Sequence, residues 1–294
     1  MARKNIIADS QILNTLQACG YKLDKTFNQN LVPAVKATPL EEGDLMHQCF
    51  EFYNLGLKEH GTAILYDDEK FEEHVKKSIE YGESKVPNMG LGVAEASEVI
   101  FQFDKYVRHT RMDGVKILEV ERAFVIELYK DDELGLFYSG KIDRLTDTPD
   151  HGIVPRDYKK AKRTEAPSST SNQFTGYAMA TWPEGKHQHT VLVDKVGFQK
   201  TLTPEDRFRT YPLVYSRAMI ERWKEETIWW LKLYALYLET NTWPRNRTSC
   251  DKYGGCIFLK HCEAMDDETA DSILKQDFIV GPPWDPTLHL RKES

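Results

Sequence analysis

The sequence predicts an α/β fold, a central sheet flanked by helices, from three observations. Charged amphipathic patterns with apolar residues three and four apart fill the first hundred or so residues. From Val115 the spacing of Val, Ile, Phe and Tyr shortens to about two, as in strands. A long aromatic-rich pattern of helical period then returns near Tyr215. With 294 residues and 40% hydrophobic content, the chain has ample material for a core. It reads as a single domain, 1–294, with an N-terminal helical region at 1–113, a core at 114–200 and a C-terminal region at 201–294.

Taken in order, a short helix can start at Asp9 or Ser10 as cap, bury Ile12, Leu13 and Leu16, and stop near Gly20. After an irregular segment with Pro33, a stronger helix is expected from about Pro39 to Gly61. Its Pro39 suits the first turn, Glu41 and Glu42 complement its dipole, and Leu45, Cys49 and Tyr53 repeat every four residues. Charged helical patterns follow near Glu69 to Tyr81 and Ala94 to Arg108. The segments VKILEVERAFVIELY, LFYSGKIDRL and GIVPRDYKK form a meander of three strands, separated by the turn sequences KDDELG and TDTPDHG. The polar stretch TEAPSSTSN reads as a loop. A helix from Asn172 to Trp182, a strand at HTVLVDKVGF and a long helix from Tyr215 to Glu239 come next, and the last thirty residues, with three prolines, read as a surface tail.

The net charge of -7 excludes a protein that coats nucleic acid or membrane with its whole surface, but leaves room for a local basic patch. No apolar run approaches the roughly 20 residues that span a bilayer, and MARKNIIADS lacks the hydrophobic core of a secretory signal, so a cytoplasmic protein without membrane partners is expected. Five cysteines, an odd number, disfavour a disulfide framework and make metal binding the better reading of any cluster.

Side chains two apart on a strand share a face, so Asp157 and Lys159 point the same way while Tyr158 points to the other side and leaves its carbonyl near them. A hairpin turning at Pro149 to Gly152 brings Asp143 beside Asp157. Two carboxylates and a carbonyl suit Mg²⁺, whose bound water can attack a phosphodiester, with Lys159 placed to stabilise the growing charge. On spacing alone, ordinary strand-end aspartates and a solvated lysine remain the commoner reading.

These residues resemble the motif of the PD-(D/E)XK nuclease superfamily, in its RecB-like branch: Gly140-Lys141-Ile142-Asp143, then Val154-Pro155-Arg156-Asp157-Tyr158-Lys159. Ile142 stands where the family name has proline. Upstream, EEGDLMHQCFEFY is similar to the branch's G-x-x-x-H helix, with Gly43 and His47; downstream, SNQFTGYAMA is similar to its Q-x-x-x-Y helix, with Gln173 and Tyr177. The resemblance implies a restriction-endonuclease-like core with a mixed sheet, metal ligation by His47, Asp143, Asp157 and the Tyr158 carbonyl, and a preference for Mn²⁺ over Mg²⁺ through the imidazole. It implies that Lys159 assists the water and that Gln173 and Tyr177 position phosphate or order the lysine. Glu121 stands where the branch often has a glutamate, although Glu119 shares its strand face and a salt bridge is at least as good a reading. The implied activity is exonucleolytic cleavage of DNA, single-stranded or with a free end, in recombination, repair or end processing, alone or with a partner protein of that pathway. A non-catalytic DNA-binding module and an endonuclease of the same superfamily are the alternatives.

The stretch CDKYGGCIFLKHC places Cys250, Cys256 and Cys262 with five residues between neighbours, which implies a loop folded around a centre rather than one helix face. With Cys19 they resemble the cysteines of iron–sulfur members of the branch, including CRISPR-associated exonucleases, and four thiolates are what a 4Fe-4S cluster requires. Such a cluster would form a C-terminal metal-bound clip, closing a loop of more than 200 residues. The spacing departs from the usual C-x2-C-x5-C, and zinc held by these cysteines, with His261 or Cys19 as the fourth ligand, is the rival. Cys49 reads as core. The basic run Arg156 to Arg163 is the candidate phosphate contact, and Trp229, Trp230, Tyr234 and Tyr237 fit a core helix better than a base-stacking surface.

Overall fold

A computed structural model describes residues 3–35, 37–111, 113–161, 165–199, 201–251, 255–288 and 290. In chain order the elements are β1 (Lys4–Ala8), α1 (Ser10–Ala18), α2 (Gly20–Leu23), β2 (Leu31–Pro33), α3 (Thr38–His60), α4 (Asp68–Lys85), α5 (Val93–His109), β3 (Lys116–Lys130), β4 (Leu134–Thr148) and β5 (Gly152–Ala161). They continue with α6 (Asn172–Ala180), β6 (Gln188–Gly197), α7 (Pro204–Arg207), β7 (Phe208–Ser216), α8 (Arg217–Thr240), α9 (Leu259–Cys262), α10 (Asp267–Asp277) and β8 (Phe278–Val280). The protein is α/β, with a mixed sheet flanked by helices.

Local chemistry explains where the main elements begin and end. The Asp9 carboxylate accepts from the N–H groups of Gln11 and Ile12, both at 2.9 Å, which fixes the start of α1. Pro39 sits in the first turn of α3, and Gly61, with φ of 74°, ends it in a conformation costly for any residue with a Cβ. The three strands of the meander fall where the period-two pattern puts them.

Two compact units are each assembled from separate stretches of chain: Met1–Lys36, Phe124–Gly140 and Glu221–Ser294 form one, and Ala37–Ala123 with Lys141–Ile220 the other. In the first, β1 runs parallel to the early part of β4, from Lys4 opposite Leu134 to Ala8 opposite Tyr138, and β2 pairs antiparallel with β8. Tyr138 packs edge-on against Trp223 of α8 at 5.0 Å.

In the second unit the later part of β4 is antiparallel to β5, β5 is parallel to β6, and β6 is antiparallel to β7. Helices α3, α4 and α5 bury Leu45, Cys49, Phe50, Phe103 and Tyr106 in one apolar cluster with Tyr158 of β5 and Val196 of β6. Cys49 is a core residue, and burial pushes its thiol up to about 12.

Four features differ from the sequence expectation. The N-terminal region contains β1 and β2 besides its helices; β7 occupies a stretch with no expected strand; the C-terminal tail holds α10, capped by Asp266, and β8. Trp229, placed in a core, is 61% exposed. No helix among the described residues is long and apolar enough to cross a membrane.

Candidate functional site

The residues singled out on the meander, on α3 and on α6 meet in the second unit. Arg144 lies opposite Arg156, and this register sets Asp143 of β4 beside Asp157 of β5. Pairing with β4 runs only from Gly152 to Arg156, so the next N–H on that side, that of Tyr158, turns to a side chain instead and donates to Asp143 Oδ2 at 2.9 Å. His47 Nδ1 lies 3.3 Å from the same oxygen. Tyr158 points away into the core, stacked on Phe50 at 3.7 Å, with its hydroxyl 3.3 Å from Asn54 Oδ1. His47, Phe50 and Asn54 occupy one face of α3, so a single helix face supports both the imidazole and the tyrosine. That spacing was readable beforehand; the role of Phe50 and Asn54 was not drawn from it.

Asp157 is the centre of the arrangement and has no exposed surface. Its Oδ1 accepts from the Gln173 amide at 3.0 Å and faces the Tyr177 hydroxyl at 3.3 Å. The i, i+4 spacing of those two residues on α6 also lets Gln173 donate to Tyr177 Oη at 2.8 Å, while the Lys141 carbonyl accepts from that hydroxyl at 2.6 Å. Gln173 and Tyr177 therefore hold the carboxylate rather than Lys159. Lys159 Nζ lies 2.9 Å from Asp157 Oδ2, yet this buried oxygen lacks a well-directed hydrogen bond.

Burial pushes the Asp157 carboxyl up to about 6; Lys159 pulls against it, Asp143 adds to the rise and His47 opposes it. For Lys159, burial acts to lower the value, but the carboxylates of Asp157 and Asp143 outweigh it and hold the ammonium above the ordinary lysine range. The lysine is thus a fixed cation in the site, not a base.

Glu121 has φ of 55°, the left-handed region, within β3, and its carboxylate is paired with Lys141. Glu119 pairs with Arg122 at 3.3 Å. Gly43 has open space where a Cβ would be, so packing does not require glycine there. Gly140 is different: a Cβ would lie 2.6 Å from the Phe124 ring. In the basic run, Arg156 is buried against Asp194, Lys159 is paired with Asp157 and Lys160 with Glu42. Lys162 and Arg163 lie outside the described residues.

A hard divalent cation fits the chemistry of two carboxylates, a carbonyl and an imidazole. Asp157 Oδ2, ion-paired with Lys159 but without a well-directed hydrogen bond, has the capacity to take one. In the geometry observed the Asp143 carboxylate takes the Tyr158 amide and the Asp157 carboxylate faces Lys159, and among the described residues no group of three or more His, Cys, Asp or Glu side chains is arranged to hold a metal ion.

The four candidate cluster cysteines belong to the first unit. Cys19, Cys250, Cys256 and Cys262 are all partly exposed. Burial raises the Cys262 thiol, against Arg245, and the four cysteines do not form a group arranged to hold a metal ion among the described residues. Cys19 Sγ accepts from the Asn246 N–H at 3.4 Å, and the Cys250 carbonyl accepts from the Cys256 N–H at 2.7 Å. Both ring nitrogens of His261 are engaged, one by the Tyr21 hydroxyl and the other by the Ala270 carbonyl, 3.0 Å away.

No protein-family model and no curated protein matches this chain. Among solved structures the chain is similar to SSO0001, with 11% identity over 63% of this chain and 73% of that one; the TM-score of 0.29 is too low to assign a fold or a function.

Proposed function

We propose that the chain is a divalent-metal-dependent deoxyribonuclease of the PD-(D/E)XK type, RecB-like branch, with a restriction-endonuclease-like core that degrades DNA from free ends in recombination, repair or end processing. The observation that carries the reading is Asp157: a fully buried carboxylate gripped by Gln173, Tyr177 and Lys159, with one oxygen short of a directed partner and Asp143 and His47 alongside. A structural aspartate of a strand end needs none of that company, and burying a charge at such cost is characteristic of functional sites.

His47, Asp143, Asp157 and the Tyr158 carbonyl would hold Mg²⁺ or Mn²⁺, which supplies a Lewis acid and an acidified water. Gln173 and Tyr177 fix the orientation of Asp157 through its Oδ1. Lys159, kept protonated, places a positive charge where negative charge grows on the phosphate oxygens. Glu121 serves the scaffold through Lys141.

The test is degradation of end-labelled linear single-stranded DNA with Mn²⁺, compared with a closed circle. Loss of the linear substrate alone is expected, and cleavage of the circle would point to the endonuclease instead. Asp157→Ala and Lys159→Ala should lower turnover by about a hundredfold or more while retaining DNA binding. Unchanged cleavage in both variants would sink the mechanism, and DNA binding without cleavage by the wild type would leave a binding module.

For Cys19, Cys250, Cys256 and Cys262 we propose a 4Fe-4S cluster forming a C-terminal clip, with zinc as rival. The occupied nitrogens of His261 weigh against the zinc set that uses it. A brown protein with broad absorbance marks iron and sulfide; a colourless zinc-containing one marks the rival.

A further inference from the structure

The basic run from Arg156 to Arg163 does not make one surface. Alternate residues of a strand point to opposite faces, and Arg156 and Lys160 lie on the face of Tyr158, paired there with Asp194 and Glu42. Lys159 lies on the face of Asp157. The cations beside it are found across the sheet rather than along the chain. Lys159 of β5 stands directly opposite Lys195 of β6, and Lys195 directly opposite Arg209 of β7. Residues directly opposite one another share a face, so the three form one transverse row. At about 4.8 Å per strand spacing, the row spans about 10 Å.

All three side chains are reached from solvent: that of Lys159 is 35% exposed, that of Arg209 is 46% exposed, and Lys195 is partly exposed. Like charges directly opposite one another destabilise a sheet, so each cation in such a row calls for a counter-charge. Asp157 supplies one to Lys159, at 2.9 Å, and Asp206 supplies one to Arg209. Lys195, in the middle, has no ion pair among the described residues: burial lowers its ammonium from the ordinary lysine range, and only the field of Glu165 opposes this.

Helix α6 leaves the row open. Its first turn sits at Asp157 and Lys159, through the Gln173 amide at 3.0 Å and the Phe174 ring, whose centroid is 5.7 Å from Lys159 Nζ. Its C-cap, Thr181, reaches the start of β6, with Oγ1 2.8 Å from His189 Nε2. Lys195 lies the other way along β6, past Val193, which is opposite Asp157. The row therefore lies beyond the N-terminal end of α6, where Ser171 makes no side-chain cap and the positive end of the helix dipole adds to the cations.

We propose that Lys159, Lys195 and Arg209 form the track on which a single DNA strand crosses the sheet, Lys195 holding the phosphate next to the one at the Asp157 site and Arg209 the phosphate beyond. At roughly 3.4 Å per nucleotide of a stacked strand, the row matches about three nucleotides. The strand gives Lys195 the anion that the described residues do not, in contacts that carry no sequence preference. The track rests on the nuclease reading and adds to it the path of the substrate away from Asp157.

The test measures binding of a fluorescein-labelled oligothymidylate to the full chain in metal-free buffer over a range of salt, and separately its Mn²⁺-dependent cleavage. Lys195→Gln should weaken binding on the order of fivefold and reduce the salt slope by about 0.7. Arg209→Gln alone should do the same, and the double variant should reduce the slope by about 1.4. In cleavage, the loss in Lys195→Gln should fall on KM with kcat kept within about twofold, unlike Lys159→Ala. Lys195→Arg should restore affinity and slope. Lys76→Gln, the same charge change on an exposed position of α4, should match the wild type. Wild-type affinity and slope in Lys195→Gln and Arg209→Gln, or an equal loss in Lys76→Gln, would overturn the track alone if the wild type still cuts DNA. A wild type that neither binds nor cuts DNA would remove the nuclease reading and the track with it.

Discussion

At the scale of single residues, the charged groups of the second unit divide by what their burial is used for. Asp194 is fully buried, and although burial alone would raise its carboxyl, Arg156 and Arg144 overcome that and hold it near about 2. A folded-state value below the unfolded one means stability that is present above about pH 4 and lost as pH falls toward 2; the contribution is about 2 kcal/mol. Urea unfolding measured from pH 6 down to pH 2.5 should show this loss. Asp194→Asn should flatten the pH response below pH 4 and cost on the order of 3–5 kcal/mol at neutral pH, because it takes the shared carboxylate from two buried guanidiniums and leaves Arg156 only Asp113, 4.0 Å away. None of this was legible in the sequence. Arg144, Arg156 and Asp194 sit on strands where a charged residue reads as solvent-facing, and only the register of β4, β5 and β6 reveals that they share an interior. Asp143, Asp157 and Lys159 were legible, because side-chain alternation along β5 and the turn before it dictate their positions.

At the scale of elements, the strand residues that look interchangeable are constrained by close approach. Gly140 in β4 faces the Phe124 ring of β3, where an added methyl would begin 2.6 Å from a ring carbon. Gly140→Ala should therefore cost about 1–3 kcal/mol, measured as a lower urea midpoint, and Phe124→Leu in the same chain should recover part of it. An unchanged midpoint in Gly140→Ala would show that the ring gives way freely. Helices α1, α3, α4, α5, α6 and α8 were legible in the sequence through their apolar periodicity, whereas α10, although capped by Asp266, was not. The missed strands have no such local signature. The five residues KNIIA of β1 are too short to show a period, and their parallel partner lies about 130 residues away. Pro212 lies within β7, which among the described residues pairs with β6 alone, and a proline is tolerated in a strand with one free side.

At the scale of the whole molecule, the cysteines show what linear spacing leaves open. The sequence distances among Cys250, Cys256 and Cys262 suggest a loop around a centre, but the turn between Asn241 and Asn246, which brings Cys19 into the same neighbourhood through the Pro244 carbonyl and the Asn246 amide, carries no motif. If the proposed cluster is present, Cys19→Ser should lose the absorbance near 400 nm and lower the melting temperature by several degrees, because the link between distant parts of the first unit is gone. A variant with the wild-type spectrum and melting point would remove Cys19 from the set.

The interleaving of the two units along the chain also fixes an order of events during synthesis. The second unit has its last residue, Ile220, in hand before the Glu221 segment of the first unit is made, so it can close around the Asp157 site first. The first unit emerges first and is completed last: β1 must wait for β4 to supply its partner edge, and α1 and α2 wait for the segment from Glu221 onward. During that interval Ile6, Ile7, Leu13 and Leu16 are without the packing that later buries most of them. β1, α1 and α2 thus rest on partners that the chain supplies only from Phe124–Gly140 and from Glu221 onward.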